Sequence, residues 1–239
     1  LVELANANAK EEAERITSKE EKAKGVLNLL GRMLNLPAPQ RIEAFDISNI
    51  SGTDIVASMV VFVDGKPKKG EYKRFSLRDL PGQDDYASMY QVVTRRFTHL
   101  KDCDKGFDAA PDLLLIDGGI THAQTALDAL NQLGINLPVF GMVKDDFHRT
   151  RALVMPDGRE ISIAAQQSVF SFIGSIQEEA HRFAITYHRS LRSKRLRYSE
   201  LDSIAGIGPK RKQDLLKYFK SIAAIKAASK EELLCVLNI

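Results

Sequence analysis

The chain has 239 residues, 44% of them hydrophobic, enough for one large core or a core with a small satellite domain. Its formal charge of +3 permits a nucleic-acid partner without requiring one, and no apolar run is long enough to cross a membrane. Cys103 and Cys235 lack metal-ligand spacing and are too few for a disulfide framework, which points to a reducing cytoplasm.

The charged start, LVELANANAKEEAERI, lacks a signal-peptide pattern and an initiator Met, so a piece of a longer protein is expected. Leu4, Ala13, Ile16, Val26, Leu27, Leu30 and Leu34 recur at helical spacing and predict one or two amphipathic helices, closed by the prolines of LNLPAPQ. Three strand-like runs follow: RIEAFDIS, DIVASMVVFVDG and, after a tight turn at Asp64-Gly65, KPKKGEYKRFSL. DDYASMYQVVTRRFTHL changes to helical period, with Asp84 and Asp85 at the positive end of the predicted helix. PDLLLIDGG is short and almost wholly apolar, as a strand buried on both faces would be.

A helix over THAQTALDALNQLG, a strand over PVFGMV and a second hairpin turning at Asp157-Gly158 come next. From Gln167 to about Arg195 the period is helical and increasingly basic. From Ser199 the composition becomes that of a small helical module. The expected divisions are a helical segment over 1–36, an α/β domain over 37–197 and an all-α domain over 198–239. An antiparallel hairpin pair leading into parallel strands gives a mixed sheet flanked by helices, the order of RNase H-like folds among others.

Asp46 interrupts the first strand, where an unpaired carboxylate costs several kcal/mol. Asp117 ends LLLID and precedes Gly118-Gly119, at the strand edge where ligands gather in open α/β sheets. If the first and fourth strands are neighbours, these two acids meet, and a divalent cation relieves their repulsion. Asp85 opens the helix after the third strand. Mg²⁺ or Mn²⁺ takes oxygen ligands and keeps waters, which suits phosphodiester hydrolysis. Each acid has a plainer reading: Asp46 as a helix cap, Asp117-Gly118 as a turn, Asp84 and Asp85 as first-turn acids. His181, in QEEAHRFAITYHR, is either a surface histidine or one able to activate water or bind metal.

In the tail, IAGIGPKRKQDLLKYF places Gly206 and Gly208 before Pro209, which suits a first helical turn. Backbone N–H groups there, with Lys210, Arg211 and Lys212, form a cradle for DNA phosphates, the helix-hairpin-helix pattern.

With these stretches in order, and with FDISNISG, PGQDDYASMYQVVTRRF, KDDFHRTRAL and EEAHRFAITYHR, the chain resembles the C-terminal half of the UvrC family over essentially its whole length. That resemblance implies an RNase H-like endonuclease domain followed by tandem helix-hairpin-helix motifs. It implies a bacterial excision nuclease that cuts the damaged strand of double-stranded DNA on the 5′ side of a lesion, in complex with UvrB. No small-molecule substrate and no membrane is implied. The 3′ cut belongs to a GIY-YIG domain with no counterpart in these residues.

By motif, the family's catalytic residues fall on Asp46, Asp85, Asp117 and His181, the three aspartates as ligands of Mg²⁺ or Mn²⁺. Asp85 is favoured over Asp84. The DNA-contacting positions fall on Gly206, Gly208 and Lys210. Two departures stand out: the family's Gly-Gly-Lys-Gly-Gln is here Gly118-Gly119-Ile120-Thr121-His122-Ala123-Gln124, and the chain stops where a second hairpin would be starting. Another RNase H-like nuclease, such as a Holliday-junction resolvase or an endonuclease V relative, shares the carboxylates but leaves EEAHRFAI and GIGPKRK unexplained. A DNA-binding adaptor that cuts nothing would keep the hairpin and tolerate loss of the acids.

Overall fold

Alternating side chains make Arg41–Ile50 (β1) and Asp54–Val63 (β2) a long antiparallel pair, in register with Asp46 opposite Ser58. The computed structural model describes residues 2–50, 54–77, 84–145, 149–202, 204 and 207–237. They divide into two compact units, Leu1–Ala184 and Ile185–Ile239.

KPKKGEYKRFSL, expected as one strand, is two. Lys66–Pro67 (β3) and Lys73–Leu77 (β4) both pair with the outer edge of β2, with a 3-10 turn at Lys69–Glu71 between them. Pro67 has no N–H to give the ladder, and Lys68 N–H donates to Val61 O at 2.8 Å before the chain turns away. The rest of the sheet comes from Leu113–Ile116 (β5), Val139–Lys144 (β6), Thr150–Val154 (β7) and Glu160–Ser162 (β8), in the order β3-β2-β1-β5-β6-β7-β8. β1, β5 and β6 run parallel and occupy the middle, while both flanks are antiparallel. This placement explains why LLLI is apolar throughout: helices cover both of its faces.

One face packs on Asp85–Lys101 (α2) and Ile120–Gln132 (α3), with Phe45, Met59, Leu114 and Ile116 meeting Met89, Val93, Ala126 and Leu130. The other face packs on Val2–Leu34 (α1) and Gln167–Asp202 (α4) through Leu27, Leu30, Leu34, Val169, Ile173 and Ile176. At about 1.5–3 kcal/mol per fully buried leucine, three leucines suffice to hold the C-terminal turns of the otherwise charged α1. α1 is one helix where the sequence allowed two. α4 runs on to Asp202, past the expected end near Arg195, because no glycine or proline intervenes there to stop it.

A charged pair lies inside the α2 face. Glu43 of β1 and Arg96 of α2 are both 0% exposed. The guanidinium donates to the two carboxylate oxygens at 3.0 and 2.8 Å, and to the carbonyls of Phe107 and Ala109 at 2.9 and 2.7 Å. Arg41 also donates to Glu43, at 3.1 and 2.9 Å, so the buried acid is well satisfied.

In the second unit, Leu201, Leu215 and Ile225 form a small core with Ile207, Phe219, Ile222 and Leu233. Pro209–Phe219 (α5), Ile222–Ala227 (α6) and Lys230–Leu237 (α7) surround it. Ser229 and Glu232 cap α7 reciprocally, Glu232 N–H to Ser229 Oγ at 3.2 Å and Ser229 N–H to Glu232 Oε2 at 2.8 Å. α6 and α7 are thus separated by the short connection Ala228-Ser229.

Arg96→Met leaves Glu43 buried and half-paired, and should destabilise the protein by about 3 kcal/mol or more in urea unfolding. Glu43→Met/Arg96→Met should recover part of that loss. A single variant as stable as wild type would show that the pair does not hold α2.

Candidate active site

The parallel register of β1 and β5 sets Phe45 beside Ile116, and Asp117 N–H donates to Phe45 O at 2.8 Å. The next residues, Asp46 in the middle of β1 and Asp117 just past the end of β5, are thus neighbours. Phe45 and Ile116 point to the α2 face, so strand alternation turns both aspartates toward the α4 face. Asp46 is buried, at 7% exposure. Opposite it on β2, Ser58 Oγ is buried without a hydrogen-bond partner.

Asp117 has a partner that the sequence reading missed. Lys144, the last residue of β6, brings Nζ to 2.8 Å from Asp117 Oδ1 and 3.1 Å from Oδ2. Only the approach to Oδ2 has hydrogen-bond direction, so the buried Oδ1 has a charge contact without a directed donor. The stretch KDDFHRTRAL resembles the family's, but nothing in the sequence says that its lysine reaches the aspartate after the neighbouring strand. Only the β5–β6 pairing does.

Backbone room decides how the loop after Asp117 runs. A Cβ on Gly141 of β6 would stand 2.5 Å from Gly118 O and 3.0 Å from Gly119 O, so only glycine lets the Gly118-Gly119 carbonyls lie across β6. That loop delivers α3, capped by Gly119, and puts His122 in its first turn. His122 packs on Tyr86 with ring centroids 4.7 Å apart, which brings the starts of α2 and α3 to the same sheet edge.

Asp84 and Asp85 differ there. Asp84 caps α2, its Oδ1 accepting from Tyr86 and Ala87 N–H at 3.0 and 2.9 Å, whereas Asp85 is the first helical residue and is exposed.

A cleft of about 690 Å³ opens beside Asp117, lined also by Lys144, Arg149, Thr150, Gln177, Glu178 and His181. It lies between β6, β7 and the middle of α4. Gln177 fixes the helix there, its Oε1 accepting from Thr150 N–H and from the Thr150 hydroxyl. One turn on, His181 is exposed and shares the cleft with Asp117. Glu179 faces another way and ties α4 to the sheet: Tyr72 donates to it at 3.0 Å, and Arg182 pairs with it at 2.6 Å. Arg182 and, more weakly, Tyr72 hold the Glu179 carboxyl below its usual value, while burial and the bond to Glu179 push the Tyr72 phenol up.

The donors suit a hard divalent ion as far as they go. Two adjacent carboxylates, a buried carboxylate oxygen without a directed donor and an unpartnered serine hydroxyl offer oxygen only. Among the described residues, however, no three His, Cys, Asp or Glu side chains approach closely enough to hold a metal. Asp46 and Asp117 are brought together, His181 shares only the cleft, and Asp85 stands at the edge on the other layer.

In the second unit, Gly208 caps α5, Pro209 is its first residue, and Lys210 and Arg211 are exposed. Lys212, expected among the phosphate contacts, is buried, because its place on α5 turns it toward the unit's interior. Gly206 lies outside the described residues.

The family described as the UvrC RNAse H endonuclease domain matches residues 31–185. The chain belongs to this family. The mixed sheet flanked by helices is its RNase H-like fold, and a SAM-like helix-hairpin-helix tandem matches residues 198–236. UvrABC system protein C of Lachnospira eligens is 48% identical over 98% of this chain and 40% of its own length. That of Caldanaerobacter subterraneus is 50% identical over 85% of this chain and 35% of its own. The chain thus spans about two fifths of the curated relatives it matches. A crystal structure of human ENDOV is a distant likeness, 12% identical with a TM-score of 0.38, covering 64% of this chain and 86% of that one.

The Glu179 bonds predict an acid response. A carboxyl held below its ordinary value of 4.5 adds stability above that pH and loses it as the pH falls through the folded value. Wild type should therefore lose more thermal stability than Glu179→Gln between about pH 5 and pH 3. Equal losses would mean that the Tyr72–Glu179–Arg182 contacts do not hold α4.

Proposed function

We propose that the first unit is a metal-dependent DNA endonuclease, and that it makes the 5′ incision beside a lesion as part of a UvrC protein acting on a UvrB–DNA complex. The neighbouring placement of Asp46 and Asp117, in a chain of an endonuclease-domain family, carries this reading. Asp46 and Asp117 would hold Mg²⁺ or Mn²⁺. Asp85 would complete the set, since Asp84 is committed to capping and Asp85 is exposed at the same edge. The ion, when bound, would stabilise charge on the phosphate and lower the pKa of a bound water.

His181 enters the same cleft from α4 as an imidazole rather than a carboxylate, a poor partner for Mg²⁺. Its role would be to orient or deprotonate the attacking water. The second unit would hold the DNA backbone through the N–H groups at Gly208 and through Lys210 and Arg211. The exposed thiols of Cys103 and Cys235 suit a reducing cytoplasm.

Asp46→Ala, Asp85→Ala and Asp117→Ala should each abolish nicking of a lesion-bearing duplex by this chain with UvrB and Mg²⁺, while DNA binding persists. His181→Ala should slow nicking by about 10²–10⁴-fold and leave Mn²⁺ affinity nearly unchanged. Wild-type nicking by Asp46→Ala would remove the assignment and favour a DNA-binding adaptor.

A Cβ at Gly208 meets nothing within 4 Å, so Gly208→Val should leave the unit folded and be felt only by a ligand approaching the backbone. Its DNA affinity should fall. Lys210→Ala and Arg211→Ala should each lower the slope of log affinity against log salt by about one unit. An unchanged slope in both would mean that this helix start is not a phosphate contact.

A further inference from the structure

We propose that Lys144 is a built-in counter-ion of the carboxylate pair, one that a divalent ion must displace from Asp117. This rests on the reading of Asp46 and Asp117 as metal ligands. The strand ladder holds these aspartates at neighbouring positions whether or not a cation is present, because Asp117 N–H is bonded to Phe45 O. Two such carboxylates repel, and the Asp117 side chain, only 5% exposed, has little water to screen its charge. Lys144 supplies that charge without a metal.

Its position suits a charge that can leave. The backbone of Lys144 is fixed, paired with Thr150 of β7 at an irregularity in the ladder, so any movement belongs to the flexible stem. Its side chain is 39% exposed, so the ammonium has water to turn to.

Sharing Asp117 is unfavourable. Nζ stands within 3.1 Å of both oxygens. A Mg²⁺ or Mn²⁺ ion about 2.0–2.1 Å from either oxygen would face a like charge only a few ångströms away, with little water between. The ion and the ammonium therefore compete. The consequence is a site that stays assembled without metal and takes up metal less tightly than its acids alone would. Lys144 is in this sense a positioning residue, and its effect on metal affinity runs opposite to that of a ligand.

Calorimetric titration of Mn²⁺ into this chain separates the cases. Lys144→Gln should bind Mn²⁺ about fivefold or more tightly than wild type, the low end of ordinary coupling because the ammonium is partly exposed. Lys144→Arg, which keeps the charge, should stay near wild type. Without metal, Lys144→Gln should melt below wild type, and saturating Mn²⁺ should raise its melting temperature by more than it raises the wild type's. Unchanged or weaker Mn²⁺ binding by Lys144→Gln, with wild type binding and Asp117→Asn not, overturns the counter-ion role alone. No Mn²⁺ binding by wild type overturns the metal reading and this inference together.

Discussion

The parallel pairing of β1 with β5 is the constraint on which the candidate site depends. Its register, Phe45 beside Ile116, is held by strands whose side chains are buried on both sheet faces. A shift of one residue would turn Phe45 and Ile116 out of the α2 face and move the acids with them, so the core and the carboxylate pair are specified by the same contacts. Hydrophobic packing thus holds two like charges together, a job that the charges themselves oppose.

The remaining parts are fastened to that pair of strands by separate devices. Glu43, two residues before Phe45, anchors α2 through Arg96, and α2 presents Asp85 at its start. Gly141 lets the loop after Asp117 lie flat across β6, which sets the start of α3. Gln177 and Glu179 pin α4 to Thr150 and Tyr72, on either side of the helix turn that leads to His181. The Arg96, Gln177 and Glu179 fastenings are buried or half-buried polar groups with their partners in place, and they hold the helices that flank the site.

The electrostatics of the cleft are more balanced than a bare list of acids suggests. Asp117, Glu178, Lys144, Arg149 and His181 line the same space, with Lys144 in contact with Asp117. A phosphodiester brought here would meet positive groups as well as the carboxylates proposed to hold metal. That mixture suits the proposed metal-assisted hydrolysis, in which a site would both attract an anionic phosphodiester and hold a cation.

By itself the sequence determined the element types, the mixed α/β class and the helical tail, because these follow from short-range periodicity: apolar LLLI, the alternation through IEAFDIS, and Pro209 after Gly208. Motif resemblance named Asp46, Asp85, Asp117 and His181 without saying how they sit. Tertiary structure decided which of them meet. Strand order put Asp46 against Asp117, and the capping bonds separated Asp84 from Asp85. It turned Lys212 inward and interrupted the strand predicted after Gly65. It also produced the Glu43–Arg96 pair and the Lys144–Asp117 pair, which join residues 53 and 27 positions apart. Such pairs leave no periodic trace, because a long side chain can bridge any two elements that the sheet happens to bring side by side.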